Sequence, residues 1–293
     1  MGEIGMVYRL LAVNIDGTLL QSNGRLNKIT KEAIEYVHQK GVHVALVTSR
    51  SYHSARKVAK ALKINPMIVA HQGAFVGEAL DKPIHVQRMS ESLVLEIVQL
   101  LEKTVCQIQL VHEKQLLANR LEIPENLIGK AVLQMNEQNF YSQHFVDTLS
   151  EELEVQPFKA TKIDVYFPEE AEKESLFNLI NDMFKEVTVI EKPGQILTIV
   201  PAGVSKWNGV LYLADFLGVK ANEIVAIGDG LDDLEMIAYS GLGVAMGNAP
   251  NEVKLAAKWV TRTNDEQGVA YMLKEFFRKQ HPIGFIEKLN HLR

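Results

Sequence analysis

Short apolar runs alternate with helix-length amphipathic segments at both ends of this chain, and the alternation lapses in the middle. Residues 8–15 form an apolar run closed by Asp16-Gly17-Thr18. Residues 27–41 follow, with Ile29, Ala33, Ile34 and Val37 on one helical face and Gly41 as the stop. A second run, 42–47, ends in Thr48-Ser49-Arg50, and a helix over 52–62 leads to a third run at 67–70. Strand, helix, strand, helix, strand in this order predicts an α/β fold, a parallel sheet with crossover helices. Sheets of this kind place ligands beyond the carboxyl ends of their strands, so residues 14–18 and 48–50 are expected to share one crevice. After Pro201 the rhythm resumes, with helices over 206–216, 231–239 and 267–277 and a short one over 251–257. Strands are expected over 223–227, closed by Gly228-Asp229-Gly230, over 241–246, and at Trp259 and Val260.

Between residues 82 and 200 the chain is more polar and its spacing changes. Helices are expected over 92–101 and 171–184, strands over 107–112, 163–167, 187–190 and 196–200, and a loop over 119–126 around Pro124. A chain of 293 residues exceeds the usual single-domain size. The expected organisation is a core from 1–81 and 201–293 with an α+β cap inserted over 82–200, and a substrate crevice between them.

A net charge of −5 argues against a broadly basic nucleic-acid or membrane surface, while leaving room for a small anionic ligand bound by local side chains. The single cysteine, Cys106, has no partner for an internal disulfide, which fits a reducing, cytoplasmic setting. Its apolar neighbours Val105 and Ile108 mark it as a buried thiol rather than a nucleophile. No uncharged stretch approaches the ~18 residues needed to cross a membrane, and no secretory signal is evident. Met6 stands where a myristoylation signal needs Ser or Thr. The pairs Gly228-x-Gly230 and Gly241-x-Gly243 do not complete a dinucleotide-binding pattern.

Four polar clusters stand at the ends or starts of the expected core elements: Asn14 with Asp16, Gly17 and Thr18; Thr48 with Ser49 and Arg50; Ser205 with Lys206; and Asp229 with Asp232 and Asp233. Taken singly, the first three have plain structural roles as turn, satisfied hydroxyl and solvated charge. Crowded carboxylates such as Asp229, Asp232 and Asp233 repel one another unless a cation is present. The segments NIDGTLL (14–20), LVTSR (46–50), GVSKWNGV (203–210), IGDGLDDLEMI (227–237), MGNAPNEVK (246–254) and VTRTNDEQGVA (260–270) occur in one order. On these segments the chain resembles the haloacid-dehalogenase-like phosphatases, in particular the Cof-type sugar-phosphatase branch.

The resemblance implies a Rossmann-like parallel-sheet core with an inserted α+β cap, a Mg²⁺ cofactor, and a small phosphorylated metabolite such as a sugar phosphate as substrate. In that family an aspartate at position 14 would attack phosphorus and bind the metal. Asp16 would offer its backbone carbonyl to the metal and its side chain as general acid and base. Thr48 and Ser49, with the amides of Gly17 and Thr18, would hold phosphate oxygens, and Lys206 would neutralise phosphate and nucleophile together. Asp229 would bind the metal, backed by Asp232 and Asp233.

The chain departs from this pattern at four positions. Asn14 is an amide, a donor and acceptor but no anion, and loss of a catalytic nucleophile costs on the order of 10⁶ in kcat. Asp232 stands where the family commonly has Asn, so one carboxylate is missing at 14 and another present at 232. Trp207 and Ser49 replace glycines, and the indole is expected either to narrow the phosphate pocket or to pack under the cap. Asn14 is either a substitution made in an active parent or native to a divergent member, which the other departures favour. The resulting expectation is a magnesium-dependent phosphatase of low or no turnover, or else an inactive phosphate-ligand-binding or regulatory protein. His112, His144 and Tyr166 in the middle region carry no assigned chemistry.

Overall fold

A computed structural model describes residues 7–120, 142–192 and 194–286. The chain divides into two compact units, Met1–His85 with Ser205–Arg293, and Val86–Val204. The first opens with strand β1 (Leu10–Asn14), helix α1 (Lys28–Gln39), β2 (His43–Val47), α2 (Tyr52–Ala61) and β3 (Met67–Ala70). In β1, Leu10, Leu11, Ala12 and Val13 are all fully buried, as a parallel strand covered on both faces requires. Helix α1 buries Ala33, Ile34 and Val37 and starts where the Asn27 side chain accepts from the Ile29 N–H. Ser51 caps α2 in the same way. These side-chain oxygens satisfy backbone donors that the first turn leaves open. The pair β4 (Phe75–Ala79) and β5 (Lys82–Val86) then extends the sheet.

The second unit carries α3 (Glu91–Leu101), β6 (Gln107–Val111), β7 (Gln115–Asn119), β8 (Ser142–Val146), α4 (Leu149–Val155), β9 (Lys162–Tyr166), α5 (Glu170–Met183), β10 (Val187–Lys192) and β11 (Ile196–Pro201). Among the described residues its six strands run in the order β10, β11, β9, β6, β7, β8, antiparallel except for β7 and β8. One face of this sheet, with Ile108, Leu110, Ile163, Val165, Leu197 and Ile199, packs with Ile97 and Val98 of α3 and Ile180 of α5. The periodicity leaves β7, β8 and α4 unread. The loop expected over 119–126 lies outside the described residues apart from Asn119, which ends β7, and Arg120.

The chain returns to the first unit with α6 (Lys206–Leu217), β12 (Ile224–Gly228), α7 (Leu234–Tyr239), β13 (Leu242–Ala245), α8 (Asn251–Ala256), β14 (Trp259–Val260) and α9 (Gly268–Phe277). Eight strands form one sheet in the order β14, β13, β12, β1, β2, β3, β4, β5. The pairs from β14 to β3 are parallel, as expected of the core, and β4 joins them antiparallel to β3. Only the two residues Leu80 and Asp81 separate β4 from β5, too short a link for a crossover helix. Trp207, expected to narrow the phosphate pocket or to pack under the cap, is buried within the first unit. Its indole belongs to the core cluster with Val210, Leu213, Met67 and Val69.

Among the described residues no helix is long and apolar enough to cross a membrane. Cys106 is buried, with its Sγ 3.5 Å from the Leu101 carbonyl oxygen. Burial, with Glu172 and Glu102 adding to it, pushes the thiol up to about 12. Because only the thiolate is nucleophilic, its share at pH 8 is on the order of 10⁻⁴. Iodoacetamide at pH 8 is therefore expected to leave Cys106 unmodified in the native protein and to alkylate it in denaturant, as intact mass would show.

Candidate active site

Strand β1 lies between β2 and β12, so successive strands are added in opposite directions on its two sides. A crevice opens beyond the carboxyl ends of a sheet at such a reversal. Those ends carry Asn14, which closes β1, Thr48, which follows β2, and Asp229, which follows β12. Helix α6 brings Lys206 to the same place as its first residue, capped by Ser205, whose hydroxyl accepts from the Asn208 N–H.

Lys206 is 2% exposed. Its Nζ donates to Asp233 Oδ1 at 2.7 Å and to Asn14 Oδ1 at 3.3 Å, and stands 3.1 Å from Asp232 Oδ1. Burial alone would pull this ammonium down, but Asp232 and Asp233 together hold it above the ordinary lysine value. The far oxygen of Asp233 accepts from the backbone N–H groups of Asp229 at 2.9 Å and Gly230 at 3.0 Å. The turn after β12 is thus wound around Asp233. Burial and the nearby Asp232 push the Asp233 carboxyl up, against the pull of Lys206. Gln72 Nε2 donates to Asp232 Oδ2 at 3.0 Å.

The Asn14 carboxamide bridges the two sides of the site. Its Nδ2 donates to the Asp16 carbonyl at 2.8 Å and to Asp229 Oδ1 at 3.0 Å. Thr18 Oγ1 donates to the same Asp229 oxygen at 2.6 Å, and Asn248 Nδ2 donates to the Gly17 carbonyl at 2.9 Å. Burial raises Asp229 to about 6, opposed by the donors Thr18 and Asn14 and by Lys206, and reinforced by Asp233. Gly17 sits at φ 68°, and a Cβ there would fall 2.1 Å from Asp229 Oδ2. Only glycine lets this loop pass so close to the carboxylate.

Asp16 points its side chain outward and is gripped by Arg50, whose Nε and Nη2 donate to Asp16 Oδ2 and Oδ1 at 2.6 and 2.5 Å. Such forked pairing is the strong, geometrically specific form of an ion pair. Thr48 is fully buried, and its Oγ1 accepts from the Arg50 N–H at 3.1 Å. Its carbonyl accepts from the Gln72 N–H at 3.2 Å. His71 and Gln72 both adopt left-handed backbone, at φ 52° and 63°. This conformation costs non-glycine residues ~1–3 kcal/mol each and tends to gather at functional sites. Gly73 follows at φ 104°, where a Cβ would lie 2.0 Å from the Ser205 carbonyl oxygen.

Asn14, Gly17, Thr18, Lys206, Asp229, Asp232 and Asp233 therefore belong to one bonded network, joined by Asp16 through its carbonyl and by Thr48 through Gln72. Half-buried Ser49 adds no side-chain bond to it among the described residues. Three contributors escape sequence reasoning. Gln72 carries no motif signal, Asn248 lies inside the segment 246–254 without a role, and Arg50 was noted without its partner Asp16. Among the described residues no three His, Cys, Asp or Glu side chains are arranged to hold a metal ion. Removing one partner of a buried ion pair leaves the other uncompensated, at a cost of about 3–5 kcal/mol. Lys206→Ala is expected to lose stability of that order in urea unfolding, and adding Asp233→Asn should restore part of it.

The model of the haloacid dehalogenase-like hydrolase family matches residues 11–273. The chain is 46% identical over 285 residues to the stress response protein YhaX of Bacillus subtilis, covering 97% of this chain and 99% of that one. It is 30% identical over 277 residues to the 5-amino-6-(5-phospho-D-ribitylamino)uracil phosphatase YitU of the same organism, covering 92% and 97%. A solved haloacid dehalogenase-like hydrolase from B. subtilis superposes with a TM-score of 0.80 at 22% identity, covering 92% of this chain and 99% of that one, which shows the shared fold. With the family pattern spanning both halves of the core, this chain belongs to the haloacid dehalogenase-like hydrolases.

Proposed function

We propose that this chain binds small phosphorylated metabolites, sugar phosphates among them, beyond the carboxyl ends of β1, β2 and β12. It does so as a member of the phosphatase branch in which Asn14 nearly silences turnover. The observation that carries this is the place of Asn14, held between Lys206 and Asp229 at the end of β1. The attacking carboxylate of a phosphatase of this family belongs there. A carboxamide has no anionic oxygen to displace an alcohol from phosphorus, so the acyl-phosphate step is blocked at its first bond. Several relatives carrying phosphatase names, YitU among them, support the ester class.

The residues also fit a divalent cation. Asp16, Asp229, Asp232 and Asp233 outnumber the cationic Lys206 and Arg50, and the Asp16 carbonyl and Asp229 Oδ1 converge on one group, the Asn14 NH₂, at 2.8 and 3.0 Å. Mg²⁺ prefers such hard oxygens and keeps several waters, so few protein ligands suffice. Asp229, the Asp16 carbonyl and the Asn14 oxygen would hold it, and when bound it would offset the charge of the phosphate. Asp232 and Asp233 serve the site through Lys206. That ammonium is the fixed positive charge for phosphate oxygens, with the Gly17, Thr18 and Ser49 amides and the Thr48 hydroxyl as further donors. Asp16 can move a proton at the leaving oxygen only after Arg50 lets it go.

A second reading, a regulatory phosphate-ligand binder without turnover, is favoured by the stress-response name of the relative at 46% identity. The net charge of −5 supports a small-molecule partner over nucleic acid or a membrane surface, and the lone cysteine supports a cytoplasmic setting.

Phosphate release from p-nitrophenyl phosphate with Mg²⁺, measured for this chain and Asn14→Asp side by side, tests the reading. Release is expected from Asn14→Asp at a rate at least a thousandfold above this chain, since a missing nucleophile costs on the order of 10⁶ in kcat. Two inactive proteins would favour the regulatory reading. Turnover by the unsubstituted chain would overturn the role given to Asn14.

A further inference from the structure

We infer that the Asn14 carboxamide stands in for the cation in the cation-free protein, and that a divalent ion binds only when this amide turns over. The inference rests on the cation site proposed above and concerns what guards it.

The direction of the amide follows from its neighbours. Lys206 has three N–H donors and no acceptor, so only the carboxamide oxygen can face it, as it does at 3.3 Å. The Asp16 carbonyl and the Asp229 carboxylate are acceptors, so only the NH₂ end can face them, as it does at 2.8 and 3.0 Å. All three contacts select one orientation, in which a partly positive N–H group joins two oxygens that a metal would otherwise join. Buried acceptors are costly to leave unpaired, and the amide joins the Thr18 hydroxyl in holding the loop over Ile15–Leu19 against Asp229.

A hard divalent cation accepts oxygen ligands and meets N–H as a repulsive group. Binding therefore requires a half-turn of the carboxamide. The half-turn gives up both N–H bonds and points the NH₂ group at the Lys206 ammonium. Lys206 survives this because Asp233 at 2.7 Å and Asp232 at 3.1 Å remain. An aspartate at position 14 would present oxygen on both sides and need no turn. The two residues thus differ in more than charge, because the amide must be moved out of the cation's way first.

The consequence distinguishes a plug from an ordinary weak ligand. Asn14 is then both plug and, once turned, a neutral ligand, and the cost of turning exceeds what its oxygen returns, so its deletion does not lower cation affinity. Isothermal titration with MgCl₂, without phosphate or substrate, compares this chain, Asn14→Ala and Asn14→Asp. Asn14→Ala is expected to bind Mg²⁺ at least as tightly as the unsubstituted chain although alanine supplies no oxygen, and Asn14→Asp at least tenfold more tightly. Cation-free Asn14→Ala should also melt below the unsubstituted chain and gain more on adding Mg²⁺. Should Asn14→Ala fail to fold, the ¹⁵N side-chain amide signal of Asn14, identified by its loss in Asn14→Asp, is followed during titration of the unsubstituted chain. It is expected to move as the N–H groups leave their acceptors. A tenfold weaker Asn14→Ala, or an amide signal unmoved while Mg²⁺ binds, would overturn the inference and leave the cation site standing. Absence of binding even in Asn14→Asp would instead remove the cation site itself, and the inference with it. Phosphatase activity plays no part in any of these readouts, so a failure of the proposed ester class leaves them unaffected.

Discussion

A fully buried ammonium organises the end of this sheet. Lys206 sits at the first residue of a helix, where the helix dipole disfavours positive charge, and it is almost wholly removed from water. Both penalties are met by two carboxylates and one amide oxygen within 3.3 Å. The carboxylates come from the turn after β12 and the amide from the end of β1, so one side chain ties three separate chain segments together. Because Asp233 also accepts two backbone N–H groups of its own turn, the position of Asp229 depends on Lys206 as well. A buried charge of this kind is weak evidence for stability, yet removing any one partner would leave the others uncompensated.

Backbone geometry serves the same arrangement. The consecutive left-handed residues His71 and Gln72 let Gly73 press against the Ser205 carbonyl, which seats the start of the lysine-bearing helix. His71 anchors α2 by accepting from the Tyr52 N–H, and Gln72 reaches Asp232. The strain at two non-glycine positions is retained where β3, α2 and α6 meet, and it is offset by hydrogen bonds that only this backbone path can make. On the other side, Gly17 does for Asp229 what Gly73 does for Lys206. In both places the missing Cβ is what lets a loop approach a charged group or the cap of a helix.

At the end of β1, Asn14 presents opposite polarities to its two sides. Its oxygen accepts from Lys206, and its NH₂ group donates to the Asp16 carbonyl and to Asp229. Hydrogen bonds through this one side chain thus link the ends of β1 and β12 with the start of α6.

Much of the fold was legible in the sequence. Period-3.6 spacing located α1, α2, α6 and α9, apolar runs located β1, β2, β3 and β12, and the polar residues at their ends pointed to one crevice. These features depend on neighbours within a turn or a strand, so local pattern suffices to read them. The antiparallel pair β4 and β5 was not legible, nor were β7, β8 and α4, since short half-buried elements carry little periodicity. The site was legible as a set of residues and not as a set of contacts. Asn14 and Lys206 lie 192 positions apart and Asn14 and Asp229 lie 215 apart. No local spacing says that Asp232 and Asp233 face the lysine, that Arg50 clasps Asp16, or that Trp207 turns into the core. Sequence determined which chemical groups stand at the strand ends. Only the tertiary structure decided which of them touch, because strand order and helix placement set those distances.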